Sequence, residues 1–282
     1  MDTIRKMLRV PLFEKMLAYP PKKPGSLLGK ILPGNYLYPL RSIRKWVKNG
    51  IRLELDLSDY LQHYLYFNYS DKSLDKLCSL AKPGMIILDI GANIGYLALR
   101  LAKKVGNEGR IYSFEPDADN YKKAVHNINE LNPWCNNIYI ENMGLGDKKG
   151  QYKLFIMDEL NNGMHQVHDY VPDKPYSIIN IEVLDEYVSE KQMPAPGLIK
   201  IDTEGYEMNI LKGAVKTIVK YKPVLFIELD DNNLRGQNSS AKEIVTFLKA
   251  MGYILRGVED DKEIALTDNF ANCHFDCICY PG

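Results

Sequence analysis

Apolar and polar positions follow two rhythms along this chain, and the rhythm switches repeatedly after Gly84. The run MIILDI (residues 85–90) is short, continuous and apolar with no helical period, which predicts a buried strand. YLALRLAKKV then places Leu97, Leu101 and Val105 four apart, the stripe of an amphipathic helix. The pair repeats: RIYSFEP predicts a strand and DADNYKKAVHNINEL a helix with Tyr121, Ala124, Val125, Ile128 and Leu131 on one face and Asp117 placed to cap it. NIYIENMGLGD predicts a third strand ending in turn residues, and QYKLFIMD and IINIEVL an inserted antiparallel pair. GLIKIDTEG predicts a strand, YEMNILKGAVKTIVKY one helix striped by Leu211, Ala214, Val215 and Ile218, and KPVLFIELD another strand. SAKEIVTFLKAMG predicts a helix stopped by Gly252, and YILRGV and HFDCICYP close the chain as two strands with no helix between them.

Strands alternating with helices specify βαβ units and a mostly parallel sheet, so the expected fold class is α/β. The closing pair predicts one antiparallel strand at or near the sheet edge. Ligands in such sheets bind beyond the carboxyl ends of the strands. That rule selects residues 89–95, 115–117, 141–147, 202–207 and 228–231 as the candidate site.

Upstream the pattern changes. Residues 1–50 are rich in Pro, Gly and Lys/Arg, and predict short helices and irregular segments. Residues 51–80 carry Leu61, Leu65, Leu74 and Leu77 near helical spacing among Tyr60, Tyr64, Tyr66 and Tyr69. The expected division is therefore an extension over 1–80, a candidate substrate lid, and a ligand-binding domain over 81–282. Net charge is zero over 282 residues, which argues against a general affinity for nucleic acid. The charge is unevenly placed, however: residues 1–50 hold about nine net positive charges and the remainder about nine negative. That basic segment suits a lid, a dimer contact or a peripheral contact with an anionic membrane. No apolar run approaches the roughly 20 residues that span a bilayer, and the N-terminal stretch does not read as a secretory signal. Five cysteines predict reduced thiols and a cytoplasmic setting.

The turn DIGANIG breaks an apolar segment at Gly91, Asn93 and Gly95, directly after Asp89. Glycine there costs backbone entropy unless something approaches the main chain closely. The spacing is not the G-x-G-x-x-G of a dinucleotide site. A carboxylate beside the turn repels a pyrophosphate and attracts a cation. S-adenosylmethionine carries a sulfonium and an ammonium and no phosphate, so it suits Asp89 better than NAD does. Glu115 ends the next strand, where an acid can accept the ribose hydroxyls. The flanking strand-end residues Pro116, Asn142, Met143 and Gly144 complete the candidate cofactor set, with Asp202 near the sulfonium. The plainer reading is that Asp89 only caps the turn and Glu115 lies on the surface.

Together DIGANIGYLAL, SFEPDADNYKKAVHNI, GLGDKKG and IKIDTEGYEMNILKGA with KPVLFIE resemble the FkbM family of S-adenosylmethionine-dependent methyltransferases. KIDTEGYE is the most specific piece, and residues 1–50 fall outside the likeness. The resemblance implies a Rossmann-like class I fold with a seven-stranded sheet. It also implies O-methylation of hydroxyls on sugars or polyketide-type natural products.

Methyl transfer to an alcohol needs a base. His165, in the inserted stretch LNNGMHQVHDY, is the first candidate because histidine titrates near neutrality. Asp202 and Glu204 are the next. The plainer reading of His165 is a solvated loop histidine, and that of Asp202, Glu204 and Glu207 is helix-start acids favoured by the dipole. His168, Glu228 and Tyr64 are candidate substrate contacts. Asp202 and Glu228 end adjacent strands, which allows a divalent cation, but no metal is expected. CHFDCIC lacks zinc-ligand spacing and suits a strand face. The leading expectation is O-methylation of a small-molecule hydroxyl. Carboxyl methylation of a natural product or peptide end, and a non-catalytic cofactor-binding protein, are the alternatives. A base methyltransferase is disfavoured because DTEG replaces an Asn/Asp-Pro-Pro-Tyr run.

Overall fold

The computed structural model describes residues 2–23 and 25–282. Its chain divides into two units, Met1–Lys72 with Asp158–Met164, and Ser73–Met157 with His165–Gly282.

In the first unit, helices α1 (Asp2–Met7), α2 (Pro11–Ala18) and α3 (Leu27–Ile31) precede a hairpin of β1 (Ile43–Lys48) and β2 (Ile51–Asp56), followed by α4 (Tyr60–Tyr66). The hairpin departs from the expected helices and irregular segments. Its signals are local: Asn49 and Gly50 take the left-handed conformation at φ 50° and 75°, the two-residue turn whose twist matches paired strands. Alternation in IRLELD then buries Ile51, Leu53 and Leu55. Asp59 caps α4 by accepting from Gln62 N at 2.9 Å, and accepts from Asn162 N at 2.8 Å, which ties the 158–164 segment into this unit.

The second unit opens with α5 (Lys72–Leu80). It runs β3 (Ile86–Ile90), α6 (Tyr96–Val105), β4 (Arg110–Phe114), α7 (Ala118–Val125), β5 (Ile138–Glu141), β6 (Gly144–Gly146), β7 (Gly150–Ile156), β8 (His165–Val167) and β9 (Tyr176–Val183). It continues with α8 (Leu184–Glu190), β10 (Leu198–Ile201), α9 (Glu207–Gly213), α10 (Val215–Tyr221), β11 (Val224–Asp230), α11 (Asp231–Gly236), α12 (Ala241–Ala250), β12 (Tyr253–Gly257) and β13 (His274–Pro281). Seven strands form one sheet in the order β12-β13-β11-β10-β3-β4-β5. Only β13 runs antiparallel to its neighbours, one place in from the edge. The order reverses between β3 and β10, the crevice where such sheets bind ligands. A second sheet, β6-β9-β7-β8, carries the inserted pair.

Three local expectations are corrected. MGLGD is not simply a turn, because Gly144–Gly146 pairs with β9 as β6. The helix over YEMNILKGAVKTIVKY breaks at Ala214 into α9 and α10. There α9 lies so close to β6 that a Cβ on Gly213 would sit 2.0 Å from the Gly146 carbonyl oxygen. His165 is not a solvated loop residue, since it pairs with Ile156 at the start of β8 and its side chain is 9% exposed.

Candidate active site

The site begins with register. Asp89 of β3 lies opposite Lys200 of β10 and Ser113 of β4. Asp89 is fully buried, and Lys200 Nζ lies 3.9 Å from it and 3.3 Å from Asp202. The same ammonium donates to the carbonyls of Ile90 at 3.1 Å and Gly91 at 2.8 Å. Burial works against the Lys200 charge, but Asp202 and Asp89 outweigh it and hold its pKa above the ordinary value. Burial pushes Asp89 up to about 6 against the pull of Lys200. Gly91 sits at φ 84°, and a Cβ there would stand 2.1 Å from the Asp202 carbonyl oxygen. Glycine at 91 thus answers to the backbone of the neighbouring strand end. Asn93 follows at φ 49°, and Gly95 forms the N-cap of α6.

At the end of β4, Glu115 accepts from Asn93 N at 2.7 Å and Asp117 N at 3.0 Å. It is 6% exposed, and burial pushes it up to about 7 against those donors. Asp117 caps α7 through the N–H groups of Asp119 and Asn120, as its position in the sequence indicated, and lies 3.5 Å from His165 Nδ1. Burial opposes ionisation of Asp117, but His165 and the backbone donors hold its carboxyl below the usual range. Asn142 is exposed and braces this corner, donating to the carbonyls of Glu115 at 2.9 Å and Pro116 at 3.1 Å. Met143 packs half-buried against the core.

These strand ends border a cleft that is open to solvent. Gly91, Glu115, Pro116, Gly144, His165, Thr203 and Glu204 line it among mostly apolar side chains. His165 Nε2 is buried there with no hydrogen-bond partner among the described residues.

The acids beyond β10 and β11 divide by role. Glu207 is buried and accepts from Thr203 N (2.8 Å), Thr203 Oγ1 (2.9 Å) and Gly205 N (3.2 Å), so it shapes the DTEG turn. Glu204, in the left-handed conformation at φ 56°, faces the cleft and accepts from Asn233 Nδ2 at 2.7 Å. Burial, then repulsion from Asp202 and Glu207, pushes its pKa up to about 8. Repulsion from Asp202, joined by burial and by Glu204, raises Glu228 as well. Glu228 also lies 3.1 Å from His274 Nε2. Among the described residues no group of three His, Cys, Asp or Glu is arranged to hold a metal ion.

All three expected substrate contacts, His168, Glu228 and Tyr64, stand outside the cleft lining. His168 lies 3.0 Å from Gln166 Oε1 and 3.1 Å from Gln237 Nε2, and Tyr64 stacks on Tyr69 within the first unit. Sequence reasoning missed the support that Asn233 gives Glu204. Asn233 Oδ1 in turn accepts from Gln166 Nε2 at 3.0 Å. Its one local signal was the helix cap Asp230, which bonds the N–H groups of Asn232 and Asn233 and starts α11.

Residues 89–255 match the family described as the methyltransferase FkbM domain. The chain belongs to the FkbM methyltransferase family. The matched span opens on Asp89 and takes in Glu115, Lys200, Glu204 and Glu228. The FkbM domain is of the S-adenosylmethionine-dependent class I type. Its cleft fits that cofactor: Glu115 spends one bond per oxygen on the backbone and keeps lone pairs for hydroxyls. His165, whose Nε2 has no hydrogen-bond partner among the described residues, lines the same cleft.

The chain is similar to three curated proteins. The hexuronic acid methyltransferase AglP of Haloferax volcanii is 26% identical over 138 residues, which is 49% of this chain and 53% of the relative. The FkbM chain thus spans about half the length of that protein. The tRNA(Phe) (4-demethylwyosine(37)-C(7)) aminocarboxypropyltransferase of Pyrococcus horikoshii is 27% identical, over 71% of this chain and 70% of its own. The 2-O-methyltransferase NoeI of Sinorhizobium fredii is 23% identical, over 64% of this chain and 79% of its own.

Proposed function

We propose that this FkbM protein transfers a methyl group from S-adenosylmethionine to a hydroxyl of a small, sugar-like acceptor, with Glu204 receiving the hydroxyl proton. One observation carries the reading: a cleft-lining carboxyl at the end of β10 whose burial and acidic neighbours bring its pKa to about 8. An alcohol holds its proton about as firmly as water, whose pKa is about 15.7. A base must take that proton as the new bond forms, and it works best when it titrates near the ambient pH. A carboxylate acceptor has no proton to give up, so it would leave a cleft carboxyl brought to about 8 without a task. A hexuronic acid carries both kinds of oxygen, so the name of the archaeal relative suits either acceptor, and Glu204 favours the hydroxyl.

S-adenosylmethionine, when bound, supplies a methyl carbon attached to a cationic sulfur. In this reading Glu115 accepts hydrogen bonds from the ribose hydroxyls and His165 Nε2 completes that side. The Gly91–Gly95 main chain, braced by Lys200 and Asp89, receives the amino-acid end. The apolar walls exclude water. Asp202 and Glu228 accept acceptor hydroxyls and hold the reacting oxygen in line, a positioning effect worth up to about 7–11 kcal/mol. The proton passes from that oxygen to the Glu204 carboxylate.

Labelled donor offered to hydroxylated sugars, carboxylic acids and tRNA tests this directly. Label is expected in a sugar, and Glu204→Gln is expected to lower kcat at least about a hundredfold. Label only in tRNA, or label in acids with Glu204→Gln unimpaired, would overturn the reading.

A further inference from the structure

Helix α2 is wound inside out. Leu12, Phe13, Met16 and Tyr19 recur at helical spacing and face solvent, at 67, 47, 65 and 88% exposure. The opposite face carries Glu14, which is 0% exposed and bonds Arg44 through both oxygens, at 2.7 and 3.2 Å. A surface helix ordinarily turns its apolar stripe to the core and its charges to water. Here the carboxylate is fixed inward by the arginine, and the apolar stripe has nowhere to go but out. Met7 of α1 and Val10, at 71 and 48%, are exposed as well.

We propose that α1 and α2 form a docking surface for an anionic lipid membrane. Charge selects that occupant. Residues 1–50 hold about nine net positive charges, and Lys6 and Lys15 stand exposed beside the apolar strip. Apolar side chains interleaved with cations are what an in-plane membrane segment requires: the apolar groups enter the acyl boundary and the ammonium groups meet the anionic headgroups. Lysine stems lie along the apolar surface and carry their charge to its edge. No helix among the described residues is long and apolar enough to cross a bilayer, so the segment lies on the membrane and does not span it. A second copy of the chain fits less well, since a twofold interface would set two strongly basic segments face to face.

The full-length protein is mixed with phosphatidylcholine vesicles with and without phosphatidylserine and sedimented, with no cofactor or acceptor present. The result is therefore independent of the proposed methyl transfer. Expected is co-sedimentation with the phosphatidylserine vesicles alone, weakened by added salt. A Leu12→Ser/Phe13→Ser/Met16→Ser variant and a Lys6→Glu/Lys15→Glu variant should each bind at least about tenfold more weakly. Both variants alter exposed side chains and should keep the thermal midpoint of the parent. Equal binding to both vesicle types, or undiminished binding of the serine variant, overturns the proposal. So does a dimer in sedimentation velocity that the serine variant splits, which would assign the strip to a second copy.

Discussion

Lys200 shows how much of this site rests on one side chain. Its ammonium is buried between Asp89 and Asp202 and also bonds two carbonyls of the glycine turn. Lys200→Met would leave Asp89 buried without its cation, an imbalance that costs about 3–5 kcal/mol. Urea denaturation should show that loss, and adding Asp89→Asn should restore part of it because the orphaned charge is then gone. A Lys200→Met protein as stable as the parent would remove the ion pair from the account. Gly91→Ala should likewise lower both the thermal midpoint and cofactor affinity, since its Cβ would collide with the Asp202 carbonyl oxygen. At this scale Asp89, Gly91 and Glu115 were legible because each ends a strand or breaks an apolar run. The reason for Gly91 was not legible. The neighbour it accommodates is about 110 residues away in sequence and is met only once β10 lies against β3.

Among the elements, α11 bears on the chemistry although the pattern did not predict it. Asn233 on this helix donates to Glu204, so it is a positioning residue for the proposed base. Asn233→Asp would replace a donor with a like charge and tighten the Glu204 proton. The rising limb of the rate–pH profile is expected near pH 8 in the parent, because the base must be ionised and its pKa is raised to about 8. It should move to higher pH in Asn233→Asp, and Asn233→Ala should lower kcat with cofactor affinity unchanged. A profile that does not move would separate Asn233 from the base. His165→Ala is expected to weaken cofactor binding while leaving this limb in place; loss of the limb would return His165 to the role of base. The βα rhythm from Met85 to Gly252 was readable because helix and strand periods are local properties of a short window. The β1–β2 hairpin was equally local, carried by Asn49-Gly50 and the alternation after it. The break between α9 and α10 was not, because it depends on how closely Gly213 approaches β6.

For the whole molecule, buried acids link folding to pH. Asp89, Glu115 and Glu204 are raised to about 6, 7 and 8 from ordinary values of 3.8, 4.5 and 4.5. The folded chain therefore keeps protons that the unfolded chain has already released. Their contribution to stability is greatest at low pH, falls as pH rises from about 4 through about 8, and is flat beyond. The urea midpoint should be lower at pH 8.5 than at pH 6, with a smaller fall in Glu204→Gln. A midpoint that rises over that interval would show that these acids are not buried as described. A cationic cofactor favours the ionised acids, so its uptake should release protons, visible as a calorimetric heat that varies with the buffer.

The order of strands and helices, the class of fold and the strand-end acids Asp89, Glu115 and Asp202 were determined by the sequence itself. Periodicity, glycine turns and caps act over a few residues and need no distant partner to be recognised. Only the tertiary structure decided that Lys200 locks the glycine turn, that Glu204 lies near Asp202, Glu207 and Asp230 while His165 lies beside Asp117, and that α2 turns its apolar stripe outward. Each of these depends on which side chains face one another across strands and helices far apart in the chain. Burial and the charges it brings together, which set proton affinity, exist only in the folded molecule.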